Sequence, residues 1–269
     1  MSKLREQFRK HGVVHLPNAL DPDTLKVAER IWENTLDQPG PGASRLYRER
    51  LMFTKNLKSA SELPQNGETG LFYQELGNLK VQNLMESLVV RDAITSIIHE
   101  IFDSNKAWFS GHQVFLKEKQ TPATGWHQDI SDINAYGDDL AVLWMSFDHV
   151  PQEGGLEVIR GSHTGPVYDS IYGTYRSQPV PKIENNRNAY DIFRCECFPG
   201  DLILFHYGSL HGGGATADFR RRSMALRFTG PNVFEGRRNA KKGSITINRS
   251  GQFPLPVTSA IKSSLKPRT

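Results

Sequence analysis

A histidine and an aspartate stand two residues apart near the middle of the chain, as His127 and Asp129. On an extended strand, residues i and i+2 project to the same side, so both side chains can face one metal ion. So short a pattern also arises by chance, and an ordinary histidine–carboxylate pair is the alternative interpretation. A metal site therefore needs a third ligand from elsewhere in the chain.

The segment 198–214 offers that third ligand. Pro199–Asp201 predicts a turn that leads into a buried apolar strand, and His211 follows the strand with three glycines directly after it. Glycines leave room for a metal and its ligands, which favours His211 over His206, the competing candidate within the strand. Two histidines and one carboxylate form the facial triad of non-haem iron(II) enzymes, which leaves metal positions open for a co-substrate and dioxygen.

An arginine opens the strand-like run Arg222–Thr229. Four residues of this run share one face: Arg222, Met224, Leu226 and Phe228. Burying a cation on an apolar face is costly unless an anion pairs with it. The dicarboxylate 2-oxoglutarate meets that need, because one end chelates iron and the distal carboxylate accepts a bidentate guanidinium contact. Arg222 is therefore the predicted anchor. Arg220 and Arg221 are alternatives, although a solvated basic turn is the favoured interpretation of both.

The elements that must position these residues change character along the chain. Apolar residues at helical spacing predict a helix from Leu25 to Leu36, with Asp21 as its N-cap and Pro22 at its first position. A second helical pattern runs from about Leu76 to Phe102. Beyond Asn105, short β-rich runs separated by turn residues predict a sandwich or barrel. These predicted strands are Trp108–Lys117, Trp126–Ile130, Asp139–Phe147, Leu156–Ile159, Ile192–Phe198, Leu202–His206 and Arg222–Thr229.

A length of 269 residues allows one large domain or two small ones. The order of helical patterns followed by β-rich runs favours a single domain. We expect mostly helical support over residues 1–105, a jelly-roll core over 106–232 and a C-terminal tail or lid over 233–269. Long loops on a rigid scaffold often carry binding residues. Residues 44–75 and 168–190 are therefore candidate walls of a substrate pocket, and Gln113 is a candidate pocket residue.

Several segments, in order, resemble the phytanoyl-CoA dioxygenase (PhyH) family over roughly residues 5–230. They are Phe8 with Gly12–Pro17 and Leu20–Asp23, then Phe115–Lys117 with Gly125–Asp129, Val142–Asp148, Glu153–His163, Pro199–His206 with Leu210–Gly212, and the strand that Arg222 opens. The resemblance implies a mainly β fold with α support, in which a cupin-like double-stranded β-helix carries N-terminal helices on its outside.

The resemblance also implies a cofactor, a co-substrate and the residues that bind them. Iron(II) would be held by His127, Asp129 and His211, and 2-oxoglutarate by Arg222. Three further positions correspond to the co-substrate pocket: Trp144, Gln128 and Gly213. A plain core aromatic is the alternative role for Trp144.

The retained carboxylate of Asp129 narrows the expected chemistry. Related halogenases replace this carboxylate with a small residue so that halide can bind iron. The resemblance therefore implies hydroxylation, desaturation, ring formation or another oxidative outcome instead of halogenation. The chain ends in Lys-Pro-Arg-Thr, which is not a peroxisomal address, so a fatty acyl-CoA is not the expected substrate.

Composition excludes several other classes of protein. The net charge of +4 is small and lies largely in two places, Arg220–Arg222 and Arg237–Lys242, without a continuous basic stripe, so we expect no nucleic-acid partner. Apolar runs fall far short of the ~20 residues that cross a bilayer, so we expect no membrane partner. The two cysteines, Cys195 and Cys197, are too close in sequence for a disulfide that would stabilise the fold. The N-terminus lacks the pattern of a secretory signal. A cytoplasmic location follows as an expectation, and the sequence carries no signal for an oligomeric state.

The sequence therefore predicts an iron(II)- and 2-oxoglutarate-dependent dioxygenase. It would use O2 to oxidise a small organic molecule and would release succinate and CO2. Two alternatives stay open at this point: a non-oxidative metal-dependent enzyme on the same barrel, such as a hydrolase or isomerase, and a catalytically silent binding protein.

Overall fold

A computed structural model describes residues 1–47, 50–53, 67–133, 135–170, 178–239 and 244–252. The α-helices of these residues are α1 (Lys3–His11), α2 (Pro22–Asp37), α3 (Gln82–Val89) and α4 (Asp92–Phe102). The strands are β1 (Val13–Leu16), β2 (Ala43–Tyr47), β3 (Arg50–Phe53), β4 (Phe72–Leu76), β5 (Trp108–Lys117), β6 (Thr124–His127), β7 (Ala135–Gly137), β8 (Leu140–Ser146), β9 (Leu156–Ile159), β10 (Ile192–Phe193), β11 (Leu202–His206), β12 (His211–Gly213), β13 (Arg221–Thr229), β14 (Val233–Asn239) and β15 (Ser244–Gln252).

Two antiparallel sheets face each other and form the barrel. The larger sheet has the order β1-β11-β8-β13-β5-β4-β2-β3, and the smaller has the order β10-β9-β12-β6. One apolar cluster brings together residues of both sheets, among them Val142, Trp144, Val158, Ile203, Phe205 and Ala225. Two stacked antiparallel sheets with a shared core are the jelly roll that the sequence predicted, so the predicted fold class is confirmed.

The helices cover the other face of the larger sheet. Asp21 caps α2 by accepting hydrogen bonds from the backbone N–H groups of Asp23 and Thr24, and Pro22 occupies the first turn, as predicted. The helical face that carries Ala28 and Ile31 is buried in a second apolar cluster together with residues of α3, α4 and β13. The helices therefore support the barrel from outside.

The second helical pattern of the sequence is interrupted in the structure. Residue Arg91 has an extended backbone (φ −69°, ψ 143°), which separates α3 from α4. The apolar spacing continues across the break because both helices bury their faces in the same cluster. One continuous periodic pattern thus corresponds to two short helices.

Alternation along β13 decides which side chains enter the barrel. Met224, Leu226 and Phe228 pack in the cluster beneath the helices, whereas Ala225 packs between the two sheets. Successive side chains of a strand point to opposite faces, so Arg222 shares the helix-covered face. Three side chains of β13 instead share the interior face with Ala225: Arg221, Ser223 and Arg227.

Arg222 consequently lies on the outside of the barrel, in contrast to its predicted place in the pocket. Its Nε donates to Asp148 Oδ1 at 2.9 Å, and its Nη1 donates to Glu29 Oε1 of α2 at 2.7 Å. The guanidinium also lies over the Trp32 ring, 5.5 Å from its centroid. The half-buried cation does pair with anions, but they are two carboxylates of the protein, Glu29 and Asp148.

The two ends of the chain contain more strand than the sequence predicted. Within residues 1–105, β2, β3 and β4 extend the larger sheet beyond β5. Within 233–269, β14 and β15 form a third sheet with β7, so this part of the predicted tail is a β-hairpin. Residues 240–243 and 253–269 lie outside the described residues.

Among the residues that the structure describes, no helix combines the length and apolarity that crossing a membrane requires.

The position of Arg222 gives a first prediction. Replacing it in Arg222→Met leaves Asp148 and Glu29 without their cation, so the free energy of unfolding should fall by about 1–3 kcal/mol. Urea denaturation measures the difference. Arg220→Met is the matched control, because Arg220 is exposed, and it should change stability by less than about 0.5 kcal/mol. Equal stability of the two variants would contradict the structural role of Arg222.

Candidate metal centre and co-substrate pocket

Three potential metal ligands converge where the smaller sheet opens into the barrel. His127 ends β6, His211 begins β12, and the two are direct partners in the antiparallel register. Asp129 Oδ1 lies 4.0 Å from His127 Nε2 and 3.8 Å from His211 Nε2. Ligand atoms of all three residues lie within 4.8 Å of one another, so a single ion can contact all of them.

The local backbone explains why His127 and Asp129 share a side. β6 ends at His127, Gln128 remains extended (φ −125°, ψ 133°), and a 3-10 turn then covers Asp129–Asp132. The i and i+2 side chains therefore face the same way although the strand has already ended. The turn directs the chain away and leaves the carboxylate in the barrel.

Backbone carbonyls orient both imidazoles. His127 Nδ1 lies 2.8 Å from the carbonyl oxygen of Gly125, and His211 Nδ1 lies 3.0 Å from that of Ser209. Since a carbonyl only accepts, each Nδ1 carries the proton and each Nε2 keeps a free lone pair. Histidines that bind metals are usually held in this way, with the second nitrogen donating to a carbonyl or carboxylate.

Electrostatics keep Asp129 ionised. Burial alone would raise the pKa of this carboxyl, but the charge and hydrogen bond of Arg227, together with electrostatic interactions with His211 and His127, outweigh burial and lower its pKa to about 2. Burial, reinforced by His127, lowers the pKa of His211 to about 4, which favours the neutral imidazole. Metals bind ionised carboxylates and neutral imidazoles, so the protonation states suit a metal.

His206, the alternative ligand, lies elsewhere and has two backbone partners. Its Nε2 is 3.0 Å from the carbonyl oxygen of Gly137, and its Nδ1 accepts the N–H of Gly208. The described residues thus bring His211, and not His206, to His127 and Asp129.

The glycines after His211 serve close packing of the barrel. A Cβ on Gly212 would lie 2.8 Å from the carbonyl oxygen of Thr124 in the neighbouring strand. A Cβ on Gly213 would lie 3.0 Å from Nη2 of Arg221. Gly213 therefore leaves room for an arginine head group inside the barrel, which gives the predicted pocket residue a physical role.

Arg221 supplies the buried cation that the sequence assigned to Arg222. Its Nη1 donates to the carbonyl of Gly154, and its guanidinium lies 5.9 Å from the centroid of the Trp144 ring. Burial lowers the pKa of Arg221 to about 10, so the side chain is still charged at neutral pH. Trp144 accordingly lies in the apolar cluster between the two sheets, beside a cation.

The part of the barrel interior that Arg221, Ser223, Trp144 and Gly213 border, called the recess below, contains two buried polar atoms without a hydrogen-bond partner among the described residues. They are Nε of Arg221 and Oγ of Ser223, which share the interior face of β13. A buried donor without an acceptor costs about 1–3 kcal/mol, so such atoms call for an explanation. An anionic ligand with carboxylate oxygens would satisfy both, and 2-oxoglutarate therefore fits the recess.

A buried lysine faces Arg221 from the adjacent strand. Lys117 is the register partner of Arg221, and its Nζ donates to the carbonyls of Pro122 at 2.9 Å and Gly214 at 3.1 Å. Burial, reinforced by the charge of Arg221, lowers the pKa of Lys117 to about 6. The amine is mostly neutral at neutral pH, so Arg221 has no second buried positive charge beside it.

Gln128 performs a different task from the one predicted. Its side chain points away from the ligands, where Nε2 donates to the carbonyls of Pro166 and Gly208 and Oε1 accepts the N–H of Tyr168. Alternation of side chains in extended backbone accounts for this direction. Gln128 therefore holds two loops behind the metal centre and does not line the pocket.

Sequence reasoning missed Arg227. Its Nε and Nη2 lie 3.1 and 3.0 Å from Asp129 Oδ2, and Nη2 also donates to Gln113 Oε1 at 2.9 Å. Gln113 faces the interior, as predicted. Arg227 is six residues after Arg221, so the two side chains lie on the same face of β13. The sequence could have indicated Arg227 only if the face of β13 that lines the interior had been known.

The two predicted substrate walls differ in position. Hydrophobic residues of 178–190, such as Ile183, pack with Ile159 and Leu210 on the outer face of the smaller sheet, away from the ligands. Residues 171–177 lie outside the described residues. In 44–75, β4 adjoins β5, and Gln74 accepts a hydrogen bond from Gln113 at 3.2 Å. Residues 48–49 and 54–66 of that segment lie outside the described residues.

Fold and site together define a class of protein: non-haem iron oxygenases that use 2-oxoglutarate on a double-stranded β-helix. The chain belongs to the phytanoyl-CoA dioxygenase (PhyH) family, whose pattern matches residues 8–223. It is accordingly an iron- and 2-oxoglutarate-dependent enzyme, an oxidoreductase. Among proteins of curated function, none matches the sequence.

Solved structures share the fold at low sequence identity. The epimerase SnoN, in complex with Fe3+, alpha ketoglutarate and nogalamycin RO, is 18% identical with a TM-score of 0.66, over 96% of this chain and 91% of that one. The alpha ketoglutarate-dependent carbocyclase SnoK from nogalamycin biosynthesis is 17% identical with a TM-score of 0.63, over 87% and 86%. EctD from S. alaskensis, with 2-oxoglutarate and 5-hydroxyectoine, is 16% identical with a TM-score of 0.60, over 86% and 76%.

The lowered pKa of Lys117 predicts a pH dependence of stability. Between pH 6.5 and 8.5 the unfolded lysine, with an ordinary pKa near 10.5, is protonated, whereas the folded amine is mostly neutral. The unfolded state then binds more protons, so the free energy of unfolding rises with pH, by up to about 1.4 kcal/mol per pH unit from this group.

Urea denaturation of the metal-free protein at pH 6.5, 7.5 and 8.5 measures this slope. Lys117→Met should flatten it, while Lys119→Met, at an exposed position nearby, should leave it unchanged. If the slope is the same in Lys117→Met and in the wild type, the folded amine is charged at neutral pH. The pKa of Lys117 is then not lowered by burial.

Proposed function

We propose that the protein oxidises a small organic molecule with dioxygen, releasing succinate and CO2. The observation that carries the proposal is the convergence of His127, Asp129 and His211 in a barrel whose interior also holds Arg221, a buried guanidinium without a carboxylate partner among the described residues. Iron(II) with 2-oxoglutarate supplies the oxidising power: one oxygen atom of dioxygen leaves in succinate, and the other is available for the substrate. The three ligands hold the metal on one side and leave its other positions to co-substrate and dioxygen.

Arg221 is the proposed anchor of 2-oxoglutarate, in place of Arg222. The distal carboxylate would accept hydrogen bonds from Arg221 and Ser223, which otherwise bury unpartnered donors. Trp144 and Gly213 give the recess its shape, one as the aromatic wall and the other as the space for the guanidinium. A charged bidentate contact in a dry site is worth more than one in water, which favours a dicarboxylate over a monocarboxylate.

Asp129 limits the outcomes that we propose. Because the carboxylate occupies a ligand position, the proposed reaction is hydroxylation or a related oxidative step and not halogenation. The similar structures include an epimerase and a carbocyclase, so one fold is compatible with several outcomes. A cytoplasmic location and a small-molecule substrate, with neither nucleic acid nor membrane as partner, complete the proposal. The small, scattered excess of positive charge supports them.

The first experiment tests the oxidative function itself. Iron(II) and then 2-oxoglutarate are added anaerobically to the purified protein, and a weak visible charge-transfer band should appear. On admission of air, succinate should form, and a panel of small molecules should identify substrates by faster succinate release. His211→Ala should give neither signal. A protein that binds iron but shows no band and forms no succinate would support the non-oxidative or binding alternatives instead.

The second experiment tests the anchor. Arg221→Gln should weaken 2-oxoglutarate binding about 10- to 150-fold, the loss expected for hydrogen bonds to a charged group, while iron binding stays within a few-fold. Arg222→Gln is the matched control, because its side chain pairs with Glu29 and Asp148 outside the barrel. Should Arg222→Gln weaken 2-oxoglutarate binding and Arg221→Gln not, the anchor is the residue that the sequence alone had indicated.

A further inference from the structure

The two carboxylate oxygens of Asp129 have different neighbours. Oδ1 faces Nε2 of His127 and Nε2 of His211, at 4.0 and 3.8 Å. Oδ2 accepts a hydrogen bond from Nε of Arg227 at 3.1 Å and lies 3.0 Å from Nη2 of the same guanidinium in an ion pair. One oxygen is thus available for a metal, and the other is already engaged by a guanidinium.

Arg227 is itself held in place from two sides. It lies on β13, in the middle of the larger sheet, so its backbone is fixed by β8 and β5. Its Nη2 also donates to Gln113 Oε1 at 2.9 Å, and Gln113 Nε2 donates in turn to Gln74 Oε1 at 3.2 Å. A chain of hydrogen bonds from Asp129 to Gln74 therefore crosses β13, β5 and β4.

The binding mode of this carboxylate decides how many metal positions stay open. A carboxylate can bind a metal through one oxygen or through both. With six positions, two histidines and a monodentate aspartate leave three, which suffice for the two oxygens of a 2-oxo acid and for dioxygen. A bidentate aspartate would occupy one of those three positions and would compete with the 2-oxo acid.

We propose that Arg227, supported by Gln113, is a positioning residue that reserves Oδ2 and restricts Asp129 to binding through Oδ1. The inference rests on the proposed function, because it concerns the same metal centre. Arg227 does not hold the distal carboxylate of 2-oxoglutarate, which is the task of Arg221. Its effect reaches the co-substrate only through the position that Asp129 leaves free.

The contributions of Arg221 and Arg227 to co-substrate affinity can be separated with a 2-oxo acid that lacks the distal carboxylate. Pyruvate chelates iron through its 2-oxo acid group but offers nothing to Arg221. Its affinity for the iron(II) protein therefore depends on the open metal positions and not on the anchor. Anaerobic titrations with pyruvate and with 2-oxoglutarate, read by the charge-transfer band, report the two contributions without turnover.

Arg227→Met should raise the apparent dissociation constants of both 2-oxo acids about tenfold, the change expected if competition from Oδ2 for a metal position costs about 1.4 kcal/mol. Iron(II) binding, measured by equilibrium dialysis, should stay within about threefold, because the three ligands remain. Arg227→Lys retains a charged donor for Oδ2 and should recover part of the affinity. Arg221→Gln should affect 2-oxoglutarate alone.

The outcomes are distinguishable. If Arg227→Met fails to fold, Gln113→Leu removes the support of the guanidinium and should give a smaller loss for both 2-oxo acids. If the wild type and Arg227→Met bind both acids with the same dissociation constants, the positioning role is overturned. The proposed function then remains intact. A wild-type protein that gives no band with either acid overturns the proposed function itself.

Discussion

The structure depends on the register of one central strand, β13. It lies between β8 and β5, so hydrogen bonds on both edges fix its position in the larger sheet. A slip by one residue would exchange its two faces and place the arginines of the interior beneath the helices. The register sets Arg221 at one end of the interior and Arg227 beside the carboxylate of Asp129. The same strand thus carries both the proposed co-substrate anchor and the arginine that pairs with Asp129.

Charge pairing then separates the functions of the arginines on β13. Arg222 pairs with Glu29 and Asp148 and ties α2 to the barrel, and Arg227 pairs with Asp129. Arg221 forms no salt bridge with a carboxylate among the described residues and keeps a buried Nε without a partner. A buried charge without a counter-ion is unfavourable in the free protein and becomes favourable when an anion binds. This free-energy difference is the reason why the proposed ligand of Arg221 is an anion.

The metal ligands are oriented mainly by the backbone. Carbonyls of Gly125 and Ser209 fix the imidazoles, and Gln128 fastens the loops behind them through three hydrogen bonds. Glycines 212 and 213 allow the strands and Arg221 to approach closely. Such a site is rigid before any ligand arrives, which lowers the entropy lost on binding.

The sequence by itself determined the features that depend on local spacing. The pair His127 and Asp129, the N-cap of α2 and the strand β9 follow from neighbouring residues and recur as predicted. Only tertiary structure shows which of Arg221 and Arg222 faces the barrel interior. Both faces of β13 are buried, one by the helices and one by the smaller sheet, so an apolar face does not identify the interior. The roles of Gln128 and Arg227 were likewise decided by tertiary structure, because their partners come from distant strands and loops.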